Sequence, residues 1–379
     1  MDARLLRSVA IPISWVTVVI GGSQAGAQVT RTLVEELRIG GADTGATSFS
    51  HVTALAVTPG GHLFVADFAG GPQIKVFDAA GRFVANAGRS GGGPGEYRFV
   101  SAMIRGPDGL IHVVDTYGMR VLMFGERGEL VSQRSVQFTT LNRVWQGAIL
   151  IDGTMLDPVF GGPRSGVPVS EPRPAARLRR IRPDGTIADT IAGPDCQLAR
   201  APRERSIQLQ QGSRRTVVQI PFVPVPQTVY APDGTAWCAP RDTYLVHHLR
   251  VGRNDTLITI KRDAPALPIP RDSLDKVIAG FTRAAARASR SNFSPDLIPR
   301  YQPVLAAIAV DDQGKLLVRR TDTPPLAPFF DLFDGDGTAL GTIQGKGRIV
   351  GIPLIVANRA YAVVLDEDDV PFVVRAAIR

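Results

Sequence analysis

Asp67 and Asp115 close two stretches of near-identical format, Leu63-Phe64-Val65-Ala66-Asp67 and Ile111-His112-Val113-Val114-Asp115. Each lies six residues beyond the glycine of the preceding turn, Gly61 or Gly109. The same count in four later segments reaches Asp152-Gly153, Pro240-Arg241, Arg319-Arg320 and Leu365-Asp366. One chemistry for this set is a polarised face, with carboxylates at Asp67 and Asp115 and guanidinium groups at Arg241, Arg319 and Arg320. Such a face orients a zwitterionic or anionic ligand, because arginine meets carboxylate or phosphate through two parallel N–H bonds. The competing reading is structural: an aspartate at a strand end holds its own loop by accepting backbone N–H groups.

Other chemical signals are weaker. Asp43-Thr44-Gly45 matches the triplet of aspartic proteases, but that chemistry needs two facing carboxylates and no second copy exists. Asp334-Gly335-Asp336-Gly337 hints at a calcium loop, yet Gly345 stands where an EF-hand needs its bidentate glutamate. Asp366-Glu367-Asp368-Asp369 is an acidic turn. His51, His62, His112, His247 and His248 have no metal-binding spacing, and adjacent strand residues such as His247 and His248 point to opposite faces. No metal ligand set, nucleophile elbow, phosphate loop or dinucleotide fingerprint stands in the chain.

The elements that must position these residues are hairpins. Apolar runs break at Gly/Asp turns and resume, with inner turns near Gly61, Gly109, Gln146-Gly147, Asp233-Gly234, Gln313-Gly314 and Asn358-Arg359. Outer turns fall near Gly81, Gly128, Pro183-Asp184-Gly185, Arg253-Asn254-Asp255 and Asp334 to Gly337. Two hairpins make a four-stranded antiparallel sheet, and repeated sheets make a β-propeller. Six inner hairpins face only five outer ones. The strand 371–378 and the strand 32–39 supply the missing pair, so the expected fold is all-β, a six-bladed β-propeller closed by an N-terminal strand.

Gly91-Gly92-Gly93-Pro94-Gly95-Glu96-Tyr97, an apolar strand, Gly106-Pro107-Asp108-Gly109, Val113-Val114-Asp115-Thr116 and Arg120-Val121-Leu122-Met123-Phe124 together resemble an NHL-type repeat. The chain is similar to secreted bacterial six-bladed propellers of that superfamily, closely over 51–135 and more loosely beyond. Blade two departs from the pattern with Gly118-Met119 where the repeat commonly has Asn before Arg, and blade four ends its second strand without Asp. The resemblance implies a fold whose relatives include scaffolds, peptide or glycan binders, and some lyases and lactonases.

The tight turns occupy one face of such a ring. The long segments 88–99, 153–177, 193–224 and 262–302 are all connections on the other face, which points to a binding surface around the channel mouth there. Within 262–302, Leu274, Val277, Ile278 and Phe281 form a helical stripe, with Asp272 as the expected N-cap. This is one short helical insertion between blades four and five. The segments 161–176 and 199–215 are rich in Arg, Pro, Gly and Ser and read as mobile loops.

Arg4 and Arg7 precede an apolar stretch from Val9 to Ile20 and a small-residue Ala25-Gly26-Ala27, the layout of a cleavable signal peptide over 1–27. Residues 28–379 form the expected single propeller domain, periplasmic or extracellular, with no later segment suited to span a membrane. Cys196 and Cys238 are either a bridge between neighbouring blades or two separate buried thiols. The formal charge of +8, carried almost entirely by arginine, favours anionic partners. No dense basic run interleaved with aromatics supports nucleic-acid binding. The leading expectation is a non-enzymatic binding propeller, without cofactor, that holds a peptide, glycan or protein partner. The alternative is a lyase or lactonase with a divalent metal such as calcium in the central channel.

Overall fold

The computed structural model describes residues 29–139, 144–159, 176–194, 196, 206–253 and 255–379. The expected signal peptide 1–27 and most of the expected loop 161–176 lie outside them, as do residues 199–205 of the loop 199–215.

Each blade is built from an inner hairpin and an outer hairpin joined edge to edge. Blade one is Val52–Val57, Leu63–Phe68, Pro72–Phe77 and Phe83–Asn86. Blade two is Ala102–Arg105, Ile111–Asp115, Arg120–Phe124 and Leu130–Ser135. Blade three is Ala148–Ile149, Met155–Val159, Arg177–Ile181 and Ile187–Ala192. Blade four is Gln227–Tyr230, Thr235–Ala239, Leu245–Arg250 and Asp255–Lys261. Blade five is Leu305–Val310, Leu316–Arg320, Phe329–Phe333 and Ala339–Gln344. Blade six takes Arg348–Val356, Arg359–Leu365 and Pro371–Ile378, and its fourth strand is Thr30–Gly40.

That closing strand runs antiparallel to the last strand, from Leu33 opposite Ile378 to Gly40 opposite Phe372. Its first residues also pair in parallel with blade five, Thr30 opposite Thr342 and Thr32 opposite Gln344. One strand therefore completes blade six and stitches it to blade five. The chain is a six-bladed β-propeller.

The tight turns follow from glycine. Gly109 and Gly128 sit at φ +78° and +89°, a left-handed geometry that costs glycine little and a side chain more. Between blades, sheet faces pack on one another: Phe64, Ile74 and Val76 of blade one meet Met103, Ile111 and Leu122 of blade two in one buried cluster. Each such side chain contributes about 1.5–3 kcal/mol on burial.

Three expectations are corrected. The inner turn of blade three lies at Leu150–Thr154, where the N–H of Gly153 reaches the carbonyl of Leu150, rather than near Gln146-Gly147. The helix Arg271–Ala286 (α1) begins after Pro270, with Asp272 in its first turn and no side-chain cap. Part of the expected mobile loop 199–215 is ordered: Ser206–Gln211 and Arg214–Gln219 form a hairpin, and Arg290–Ser291 adds a third short strand.

That hairpin and α1 come from the two insertions flanking blade four, and they fold onto each other. Ile207, Ile220, Val223, Ile269, Leu274 and Ile298 form a separate buried cluster, with Val277, Ile278 and Phe281 of α1 packed against it. The apolar stripe of α1 thus closes a cap with its own core. Cys196 and Cys238 are joined by a disulfide, Cα atoms 5.8 Å apart, which ties the first insertion to the second strand of blade four.

Candidate functional site

The carboxylate of Asp67 is buried and accepts the backbone N–H groups of Ser50 at 3.1 Å and His51 at 2.7 Å. Lys75, on the next strand, lies 3.6 Å from it and donates to the carbonyl of Ser48. Asp115 is fully buried and accepts three backbone N–H groups: Arg98 at 2.8 Å, Phe99 at 3.2 Å and Gly118 at 2.8 Å. Arg120, opposite it on the next strand, donates to the carbonyls of Gly92, Gly93 and Glu96. The residue in blade three that plays this part is Asp157, not Asp152. It accepts the indole N–H of Trp145 at 2.8 Å and pairs with Arg179, which also reaches the carbonyl of Gln137.

Blades one to three therefore share one device. A carboxylate on the second strand takes donors from the segment entering the blade, and a cation on the third strand donates to that segment's carbonyls. Buried polar groups need such partners, and here both signs are satisfied within a few residues. The device explains the Gly118 departure in blade two: a Cβ there would stand 2.1 Å from the Asp115 carboxylate.

The three arginines have comparable roles. Arg241, at φ +77°, donates through Nε to the carbonyl of Leu305 at 2.9 Å, joining blade four to the inner strand of blade five. Arg319 donates to the carbonyls of Ile349 and Gly351 in blade six and lies over the ring of Phe330, 5.9 Å from its centroid. Burial lowers the pKa of both. Arg320 pairs with Asp322 at 2.9 Å. No hydrogen bond or ion pair joins any of Asp67, Asp115, Arg241, Arg319 and Arg320 to another of the five. Among the described residues no three His, Cys, Asp or Glu side chains form a metal-ligand group, and no helix is long and apolar enough to cross a membrane.

At the tight-turn face the channel is bridged. Arg105, at the end of blade two's inner strand, lies 3.3 Å from Asp312, which follows the inner strand of blade five. Blades two and five stand opposite in a ring of six. Asp312 also accepts the backbone N–H of Ala357 from blade six at 3.3 Å.

At the opposite mouth, the aspartates position something that their own side chains do not supply. Phe68 directly follows Asp67, Phe99 is held by Asp115 through its N–H, and Tyr117 lies in the turn fixed at Gly118. Their rings form a ladder: Phe68 to Phe99 is 5.9 Å between centroids, and Phe99 to Tyr117 is 5.8 Å. Phe68 remains 40% exposed and Tyr117 37%, beside the equally exposed Met119. Two exposed rings with the half-buried Phe99 between them form an aromatic platform. The sequence carried a signal for it, an aromatic one residue after Asp67 and two after Asp115, which a search for charged chemistry passes over.

A family described as 6-bladed beta-propeller matches residues 48–147, which span blades one and two. Virginiamycin B lyase from Staphylococcus aureus is 11% identical, with a TM-score of 0.45 over 91% of this chain and 99% of its own. A calcium-binding protein, regucalcin, from Agrobacterium tumefaciens is 11% identical, with a TM-score of 0.40 over 92% and 97%. A duf4221 family member from Bacteroides vulgatus is 12% identical, with a TM-score of 0.45 over 92% and 97%. No curated protein matches the chain.

Proposed function

We propose that this chain is an exported, periplasmic or extracellular binding propeller of the NHL type. It holds a glycan, peptide or protein partner on its loop-bearing face and catalyses no reaction. The observation that carries this reading is the Phe68–Phe99–Tyr117 ladder on the loop-bearing face, with Phe68 and Tyr117 exposed and Phe99 half-buried between them. Loops that served only to connect strands would bury such rings or replace them with polar groups; held rigid and open to water, they gain by being covered. The clasps of Asp67 and Asp115 fix the ladder in advance, so little ordering is needed on binding. The alternative, a metal-dependent lyase or lactonase, needs carboxylates free to turn towards an ion, whereas Asp67 and Asp115 already accept backbone N–H groups.

The test is a glycan and peptide screen with the mature protein, followed by Phe68→Ala and Tyr117→Ala. Loss of the captured partner by more than about tenfold, a loss of the size that truncating an interface hot spot brings, supports the reading. Unchanged capture by both variants sinks it, as does a stoichiometric divalent ion whose removal abolishes a hydrolytic or lyase activity.

A further inference from the structure

The cap's three-stranded sheet has two faces of different character. Ile207 and Leu209 belong to the cap's apolar cluster, so the alternate residues Gln208 and Gln210 point away from it. In register with Gln210 stand Arg215 on one side and Arg290 on the other, which places all three side chains on the outward face. Both arginines are exposed. Arg290 forms no ion pair among the described residues, and Arg215 touches only the amide of Gln208. With one strand between them, the two guanidinium groups rise from backbones roughly 10 Å apart. The surrounding chain is mostly basic: residues 206–223 and 276–295 contain no Asp or Glu, yet hold Arg214, Arg215, Lys276, Arg283, Arg287 and Arg290, with Glu204, Asp275 and Asp296 just outside them.

We infer that the outward face of this sheet binds an acidic polysaccharide, with Arg215 and Arg290 each pairing a carboxylate of the same chain and Gln210 between them meeting its hydroxyls. Two arginines on strands one apart, roughly 10 Å between backbones, suit an extended chain that carries carboxylates at regular intervals, so two of its carboxylates fall in reach of both forks. The geometry of Arg favours this match, since a planar fork takes a carboxylate through two bonds at once. A lipid surface is the poorer fit. The apolar stripe of α1 faces the cap core through Leu274, Val277, Ile278 and Phe281, which leaves that helix no apolar side to enter a bilayer. The inference rests on the loop-bearing face being a binding surface and adds the chemical class of its occupant.

The experiment titrates polygalacturonate, its methyl ester and phosphatidylglycerol vesicles against the mature protein, the double variant Arg215→Ala/Arg290→Ala and the ladder variant Phe68→Ala/Tyr117→Ala. The expected result is polygalacturonate binding that the methyl ester lacks. It weakens about tenfold or more in the arginine variant and fades near 1 M salt, where the screening length is roughly 3 Å. Wild-type affinity in the arginine variant overturns the inference, as does equal binding of acid and ester. Tighter binding to the vesicles also overturns it and assigns the patch to a membrane surface. The ladder variant separates the two readings: a loss of binding confined to it leaves the aromatic platform standing, moves the acidic chain to that platform and overturns the arginine site.

Discussion

Replacing Asp115 by Ala removes the acceptor of three backbone N–H groups at once, those of Arg98, Phe99 and Gly118. Hydrogen bonds to a charged group contribute about 1.5–3 kcal/mol each. Two of the three here are short and one is longer, and the loops that donate them are partly exposed, so water recovers part of the loss. The expected cost is about 4 kcal/mol, against a typical domain stability of about 5–15 kcal/mol. Asp115→Asn keeps one acceptor oxygen but turns an N–H towards a former donor, and should cost roughly half as much. Urea unfolding followed by the fluorescence of Trp145 and Trp237 reads both values by linear extrapolation. Because Asp115 also fixes Phe99 and the turn bearing Tyr117, partner capture at the ladder should weaken in Asp115→Ala well below its unfolding midpoint. A cost under about 1 kcal/mol, the range of an ordinary surface substitution, would refute the clasp as the element that holds this mouth together.

Reducing the Cys196–Cys238 bond, or Cys196→Ser, releases a closed loop of 42 residues' separation and should destabilise the protein by about 4 kcal/mol, visible as a lower melting temperature under reductant. His112, His247 and His248 are all held below their ordinary value of 6.5, chiefly by burial. The folded chain therefore binds fewer protons than the unfolded one. Their contribution is complete above about pH 6.5 and declines as pH falls through the lower folded values. The urea midpoint should drop between about pH 7.5 and pH 5; a midpoint that rises over that interval contradicts the assignment, and His248→Gln should flatten the slope. A double-mutant cycle of Arg105→Ala and Asp312→Ala should return a coupling of about 1 kcal/mol, modest because both side chains keep contact with water.

The ring was readable because its signals are local. Glycines such as Gly109 and Gly128 mark turns that need a left-handed backbone, and the runs 32–39 and 371–378 lacked partners elsewhere in the chain. In blade three Gln146-Gly147 resembles a turn in composition, while the true turn at Asp152-Gly153 resembles a strand end. That resemblance hides Asp157, whose equivalence to Asp67 and Asp115 appears only once register is known. The local partners of the expected charge set were hidden for a related reason. Spacing from a turn places Asp67 and Arg241 at like positions but does not reveal that backbone groups already occupy both, those of the entering segment at Asp67 and the Leu305 carbonyl of blade five at Arg241. The cap was the least readable part, because Ile207, Val223, Ile269 and Ile298 belong to segments separated by the whole of blade four.

The closing strand sets a condition on how this molecule comes into being. Thr30–Gly40 finds its antiparallel neighbour more than three hundred positions downstream, so the ring shuts only after its final strand has been made. Until then, the sheet edges of Thr30–Gly40 and Arg359–Leu365 stand open to any passing strand. Contacts of such separation are also slow to form. A protein assembled in this order has a long interval in which it is unclosed. The same interval is when it is most exposed to mispairing with its own kind.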